Sequence, residues 1–376
     1  MRICPVFILI LIIFVAVAPV LANNNVTVLE PYASAGSYGT GEGQIDTPLS
    51  VKVDADDNIY ILQQVHTNGA RNRSVITIYD KNLTFVRSFD IMKMSMTDSG
   101  WDRAWSNFYY DNLASEFCID SEGTIYILCG WDVVVMDKYG IYKYQFPVSS
   151  FMGWIDSSGG GDTQFYYPHG LVMTNDGYIV TTSGSSPKKH EIIFIYPDGK
   201  LFTKLETPAK DIYDIARDGD GRLYVIEAGN NVVRSYDPSM TKEMDMSLYF
   251  NGYNGSPASL AFFSNGSFTA SANGIFIYDR NGSVRAHFMD NGLSDNNKNW
   301  GRPIATNSED WLIVVSGMKD AGKTPKPIML YKYETGHIFG AEGRFDSSVN
   351  MIGLAVLVAL ALLWIIGAVY IIKNKK

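Results

Sequence analysis

Residues 51–62 read VKVDADDNIYIL, and residues 117–128 read FCIDSEGTIYIL. Each has an apolar stretch, an acidic or glycine turn, and then a second apolar or aromatic stretch. The phrase returns as VMTNDGYIVTT at 172–182 and IARDGDGRLYVI at 215–226. Looser copies are AFFSNGSFTAS at 261–271 and IATNSEDWLIVV at 304–315. Tyr60, Tyr126, Val180, Tyr224, Thr269 and Ile313 hold the equivalent position, at intervals of 66, 54, 44, 45 and 44 residues. Self-similarity at such a period marks a repeat architecture.

Each copy continues with two further runs, such as VITIYDKN and FVRSFDI after the first and EIIFIYPDG and KLFTKLE after the third. Alternating or β-branched runs bounded by Gly, Asp, Asn and Pro read as strands. Four short strands per unit match a propeller blade. Six copies therefore predict an all-β fold, a six-bladed β-propeller of four-stranded blades over residues 23–335. The surplus in the first two intervals, 22 and 10 residues, reads as loop insertions. The sixth unit offers only three strands, the third being PKPIMLYKYE at 325–334. A propeller must close its ring. Val26–Glu30 is expected to do so by pairing with Ile328–Tyr333, which lets the chain leave on the lower face near Tyr333. The rival is that His337–Gly343 forms this outer strand and sends the chain out on the upper face.

The stretch GSYGTGEGQIDTPLSVKVDADDNIYIL at 36–62 resembles the NHL repeat, as do PHGLVMTNDGYIV at 168–180 and DGDGRLYVIEAGNNVVRSYD at 218–237. The resemblance covers roughly residues 26–335; it is partial in the second unit, where Ala114 replaces the proline, and weak in the fifth and sixth. It implies a β-propeller, often six-bladed. Extracellular family members include sensor domains and an amidating lyase; others bind proteins or RNA. A fold of this kind does not choose among them.

The two ends are membrane-like. Met1-Arg2, the apolar run Ile3–Val17, Pro19 and Val20-Leu21-Ala22 read as a signal peptide, residues 1–22, cut after Ala22. An uncleaved anchor is the alternative. Met351–Ile372 is 22 residues without a charge, long enough to cross a bilayer core of about 30 Å. Lys373, Lys375 and Lys376 follow, and positive charge stays inside. The expected order is signal peptide, ectodomain, linker 336–348, transmembrane helix 349–372 and cytoplasmic tail 373–376: a single-pass type I protein of the cell membrane with its ectodomain outside.

Of 31 Lys and Arg, Arg2 and the three tail lysines lie outside residues 23–350, leaving 27 against 39 Asp and Glu, a net of −12. Such a surface repels phosphate backbones, which excludes nucleic acid as a partner. Glycosylation sequons start at Asn25, Asn72, Asn82, Asn254, Asn265 and Asn281. Cys118 and Cys129 invite a disulfide in an oxidising compartment. In the hairpin, however, Cys118 lies opposite about Tyr126, and the odd offset to Cys129 places the two on opposite sheet faces.

Strand one of each blade lines the axis, and its entry end borders the upper mouth. Aligned units give the rim pairs Leu49/Ser50, Ser115/Glu116, His169/Gly170, Tyr213/Asp214, Ala258/Ser259 and Arg302/Pro303. Glu116, His169, Asp214 and Arg302 are thus the axial candidates for catalysis, since convergent ionisable groups in a mouth are a default site. The alternative is that they solvate the channel and pair with one another. Only His169 occupies a position like those where the amidating lyase holds zinc, and a catalytic zinc needs three protein ligands. No metal and no cofactor is expected. Asp218-Gly-Asp220-Gly lacks the further ligands of a calcium loop and reads as a tight turn.

The insertions at 92–112 and 150–167 are rich in aromatic residues. Trp101, Trp105, Tyr109 and Tyr110 in the first, with Trp154, Tyr166 and Tyr167 in the second, are candidate contacts for a protein, peptide or glycan. Capping of the blades by these rings is the alternative. The reading that results is a cell-surface binding or scaffold protein. Its rivals are an extracellular lyase or hydrolase acting at the axis and a structural component of the cell envelope.

Overall fold

Asp54 accepts hydrogen bonds from the N–H groups of Asp56 and Asn58, both at 2.9 Å. This local bond makes a tight turn out of a polar tetrapeptide. Asp80, Asp120, Asp137 and Asp279 hold the second and fourth amides beyond them in the same way, and Asn307 does so through its amide oxygen. The residue three beyond each anchor is left-handed, which suits Gly123 and Gly140 at φ 82°. Asp218 anchors such a turn through Arg222 N–H at 2.9 Å, so Asp218-Gly-Asp220-Gly is the tight turn expected of it.

The computed structural model describes residues 27–28, 31–66, 73–91, 114–130, 132–148, 168, 170–182, 190–207, 212–227, 232–239, 241–248, 259–271, 274–289, 303–317, 326–334 and 337–339. The turns join antiparallel strands into six sheets arranged as blades. From the axis outward, blade one is Thr47–Val53, Ile59–Val65, Arg73–Tyr79 and Phe85–Asp90. Blade two is Ala114–Ile119, Ile125–Cys129, Asp132–Met136 and Tyr142–Pro147. Blade three is Leu171–Met173, Ile179–Thr182, His190–Ile195 and Leu201–Thr207. Blade four is Ile212–Arg217, Leu223–Glu227, Val232–Tyr236 and Lys242–Ser247. Blade five is Ser259–Phe262, Phe268–Ser271, Ile275–Tyr278 and Val284–Met289, and blade six begins with Ile304–Thr306, Trp311–Val315 and Ile328–Glu334. Each inner strand neighbours the next, and that of blade six returns to blade one. The anchored turns all lie on one face, here the lower. The signal-peptide and transmembrane stretches lie outside the described residues.

Every seam between neighbouring blades is an apolar core. Phe117 and Ile125 of blade two pack against Leu62 and Ile76 of blade one, all under 2% exposed. The closing seam sets Val51, Ile59 and Ile61 of blade one against Ile313, Val315 and Ile328 of blade six. Burying such side chains contributes roughly 1.5–3 kcal/mol each. Tyr126 pairs with Cys118 as the register predicts, and both cysteines are free. Cys118 belongs to the seam of blades two and three and Cys129 to that of blades one and two. Burial pushes both thiols above their ordinary pKa, which leaves them inert hydrophobes.

Ring closure differs from the expectation. Thr27–Val28 runs parallel to the outer strand of blade five, with Thr27 opposite Phe288, and does not join blade six. The outer position of blade six is shared by two segments. Ala33–Ala35 pairs with its upper half, Ala35 opposite Ile328, and His337–Phe339 with its lower half, Ile338 opposite Tyr333. The expected exit on the lower face is thereby overturned, because His337–Phe339 runs upward. Pro31, which has no N–H to give a ladder, separates the two N-terminal strands. Tyr32 then anchors the second one: its N–H reaches Leu330 O at 2.8 Å and its ring meets Trp311 edge-on at 4.7 Å.

The segment between Ala35 and Thr47 crosses the closing seam. Gln63, 1% exposed, donates to Gln44 O at 2.8 Å and accepts from Asp46 N–H at 2.7 Å. Tyr38 and Ser316 share a hydroxyl bond at 2.8 Å. Below, the carboxylate of Asp57 accepts from Ser308 N–H at 2.9 Å and Ser308 Oγ at 2.6 Å. Deleting residues 31–36 removes the upper half of the closing strand. The melting temperature should fall by about 5 °C or more, taking ~2–4 °C per kcal/mol. A deletion variant that melts with the intact chain would show that the N-terminal segment is not needed for closure.

Candidate functional site

An inner strand pairs on one side only, so its other edge offers bare N–H groups to the axis. Two carboxylates at matching positions turn back onto that edge. Glu116 Oε1 accepts from Phe117 N–H at 2.9 Å, and Asp214 Oδ1 from Ile215 N–H at 2.8 Å. Glu116 also takes the hydroxyl of Ser50 and the ammonium of Lys52, whose Nζ lies 3.2 Å from Oε1. Ser50, Lys52, Glu116 and Asp214 thus gather from blades one, two and four.

Space for Asp214 comes from blade three. Gly170 has φ +67°, and a Cβ there would sit 2.6 Å from Asp214 Oδ1 and 2.5 Å from Ile215 N. A side chain at this position would displace the acid, so glycine is required on both counts.

The charges are unequal. Burial, at 9% exposure, pushes Asp214 upward, the negative charge of Glu116 adds to this, and Lys52 with the Ile215 amide pulls back. The outcome is an acid raised to about 7. Burial opposes the charge of Lys52, but Glu116 and Asp214 outweigh it and raise its pKa. The cluster therefore holds a fixed ammonium–carboxylate pair beside a carboxyl group that exchanges its proton near neutrality. A carboxyl group so tuned serves as a proton donor or acceptor, or as a hydrogen-bond donor to a bound ligand.

The sequence predicted convergence of Glu116 and Asp214, and the structure brings them together. His169 and Arg302 lie outside the described residues, as do Trp101, Trp105, Tyr109, Tyr110, Trp154, Tyr166 and Tyr167. Lys52 was missed. Its signal was its spacing: two residues after Ser50 on an extended strand, it shares Ser50's side. His66 lies apart from the cluster, on the upper end of blade one, where its Nδ1 is 3.0 Å from buried Asp46. Among the described residues no group of three metal-ligating side chains gathers. Asn82, Asn265 and Asn281 sit exposed in lower-face turns, while Asn25, Asn72 and Asn254 fall outside the described residues.

Fold and site together define a six-bladed β-propeller with an acid–lysine cluster at its axis. No family model matches the chain, and no curated protein matches it. Among solved structures, a protein of unknown function from Bacteroides caccae is similar at 15% identity, covering 74% of this chain and 90% of that one, with a TM-score of 0.46. Virginiamycin B lyase from Staphylococcus aureus is similar at 14% identity, over 77% of this chain and 85% of the lyase, also with a TM-score of 0.46. The WD40 repeats of RRP9 are similar at 12% identity, over 83% and 84%, with a TM-score of 0.48. The strand pairing around the ring defines the fold.

The raised acid has a measurable consequence for stability. The unfolded chain releases the Asp214 proton near its ordinary pKa, and the folded chain keeps it until about 7. Between these values the folded state binds more protons, so raising the pH removes stability, on the order of a few kcal/mol. Asp214→Asn cannot ionise and should escape this loss. Its melting temperature should exceed that of the unsubstituted protein by more at about pH 8 than at about pH 4. A difference independent of pH would place Asp214 at an ordinary pKa.

Proposed function

We propose that this is a single-pass type I membrane protein whose glycosylated propeller stands outside the cell and binds a protein, peptide or glycan. NHL-like repeats build the propeller under this reading, residues 1–22 are a signal peptide, and residues 349–372 anchor the chain. The observation that carries the binding role is the distribution of exposed apolar side chains. Ten large hydrophobic residues are exposed among the described residues, and eight of them fall on blades one to three: Phe85, Val86, Tyr139, Ile141, Tyr144, Tyr196, Leu201 and Phe202. They follow the lower turns, around the lower outer rim. Arg87 of blade one covers the Tyr139 ring at 5.1 Å, and Tyr144 of blade two donates to Pro197 O of blade three at 2.7 Å, so the three blades form one surface. Exposed apolar and aromatic side chains gathered along one rim support an interaction site there.

The direction of the chain end supports the same orientation. His337–Phe339 climbs toward the upper face, from which the insertions 92–112 and 150–167 also spring. If residues 349–372 cross the membrane, the upper face looks toward it and the lower rim looks out. The exposed sequons at Asn82, Asn265 and Asn281 then also look out, where glycans have room. The recognition role moves accordingly from the aromatic insertions to the lower rim.

A second reading is an enzyme at the axis. The acid raised to about 7 beside Glu116 and Lys52 favours it, with Asp214 as proton donor.

The test is a glycan and peptide array probed with the full chain in micelles. Val86→Asp and Ile141→Asp should each lower affinity for a selected partner about tenfold without changing the melting temperature, as expected where exposed apolar residues supply contact area. Affinity unchanged in both variants would remove the lower rim as the recognition surface.

A further inference from the structure

We infer that the lower seam between blades three and four is a carbohydrate-binding site for a neutral pyranose. The inference rests on the lower rim being the recognition surface, and it names the ligand class for one part of that rim.

Three rings are set beside a cavity. Tyr178 follows the first lower turn of blade three, Tyr196 lies in its second lower turn, and Phe202 is the second residue of its outer strand. Tyr178 and Phe202 stack at 4.3 Å with 9° between their planes. Tyr196 meets both edge-on at 5.4 Å, at 62° and 71°. Packing fixes the orientation of each ring, yet Phe202 remains 46% exposed and Tyr196 39%. Rings held in place in this way lose little entropy when a ligand stacks on them.

The adjoining cavity has a volume of about 310 Å³. Ligand pockets range over roughly 300–1,000 Å³, so it suits one or two sugar rings rather than a large cofactor. Besides Tyr178 and Phe202, its walls include Asn175, Asp176, Thr203 and Ser239. An amide, a carboxylate and hydroxyls are the groups that bind sugar hydroxyls, while an aromatic face takes the C–H face of a pyranose.

The polar groups are available. Asn175 Oδ1 accepts from Arg217, which fixes the amide and leaves Nδ2 to donate elsewhere. Gly221 makes room for it, since a Cβ there would lie 2.8 Å from Nδ2. Among the described residues, Asn175 Nδ2, the Asp176 carboxylate and the Thr203 hydroxyl have no hydrogen-bond partner. Charge selects the class. The carboxylate of Asp176 stands in the wall, while Arg217 donates to the neutral amide of Asn175 and Arg222 is ion-paired with Asp220 at 2.9 Å. A phosphorylated or acidic ligand would meet repulsion from the Asp176 carboxylate, which stands in the wall itself, whereas a neutral sugar meets none.

Saturation-transfer difference NMR on the full chain tests this, in a detergent without a sugar headgroup. The probes are the methyl glycosides of glucose, galactose and mannose, and N-acetylglucosamine. At least one should receive saturation at its ring C–H protons. Phe202→Ala should weaken its binding about tenfold, and Phe202→Trp should retain it. Asp176→Ala, which disturbs no ring packing, should also weaken it, and this keeps the proposal open to refutation if Phe202→Ala folds poorly. Absence of transfer to every probe overturns the proposal, as does transfer that both Phe202→Ala and Asp176→Ala leave intact in folded protein. If Val86→Asp and Ile141→Asp abolish array binding while no sugar binds, the lower rim stands as a recognition surface and the sugar site falls. If a sugar binds and is lost in Phe202→Ala while the array variants bind unchanged, this seam alone recognises ligand.

Discussion

The seam between blades six and one is the contact on which the rest of the ring depends. The other five seams join neighbours in sequence, where the chain itself keeps the partners close. Here Ile313, Val315 and Ile328 must find Val51, Ile59 and Ile61 across more than two hundred residues of chain. Apolar burial supplies the attraction without direction. Direction comes from polar groups at three levels: Tyr38 with Ser316, Gln63 with the chain segment at Gln44 and Asp46, and Asp57 with Ser308. Asp57 tolerates a φ of 62° at a place where Gly123 and Gly140 serve in other turns. Its carboxylate gives a reason, since glycine could not hold the turn of blade six. Asp310 repeats the arrangement on the other flank, accepting from Ser264 N–H at 2.7 Å.

The architecture was legible because each blade repeats one local device. A turn anchor that is most often Asp or Asn, a left-handed fourth residue and two apolar strands leave a signal in a single copy, and six copies average out the noise. The Cys118–Tyr126 register followed from the same device. Closure was legible only in part: His337–Phe339 falls within the rival segment His337–Gly343, whereas Ala33–Ala35 is short and carries no pattern. Ala33-Ser34-Ala35 is a run of small residues beside buried Ile328, whereas Val26–Glu30 has the β-branched composition that propensity favours. Edge position and Pro31 decided against propensity. At the axis, Glu116 and Asp214 were found by aligning units, while Lys52 required the two-residue period of a strand to be carried one step further. Tyr178, Tyr196 and Phe202 were hidden for another reason. Each looks like an ordinary strand or turn aromatic, and only the blade brings the three rings together.

The axial cluster shows how a propeller deals with its bare inner edges. Glu116 and Asp214 each satisfy an amide that no strand reaches. One lysine then faces two acids. Lys52 lies 3.2 Å from Glu116, and Asp214, the more deeply buried of the two acids, is the one that holds its proton. The raised pKa of Asp214 is thus a consequence first of burial and then of the neighbouring Glu116 charge, and it needs no catalytic purpose to explain it. It does leave a proton at the axis that exchanges near neutrality, and any ligand entering the mouth meets it.

Closure and recognition are linked through the direction of one short strand. Had the N-terminal segment alone formed the outer edge of blade six, the chain would have ended at the lower face. Because His337–Phe339 takes the lower half of that edge, it must run upward, antiparallel to Ile328–Glu334. Under the proposed topology, that choice turns the anchored turns away from the membrane. The exposed rim of blades one to three, the ring cluster of blade three and the sequons of the lower turns then share the accessible side. Phe202 and Ile141 remain 46% and 63% exposed and are absent from the buried cores of the seams. Under that proposal, a partner covers the apolar side chains that folding leaves exposed along this side.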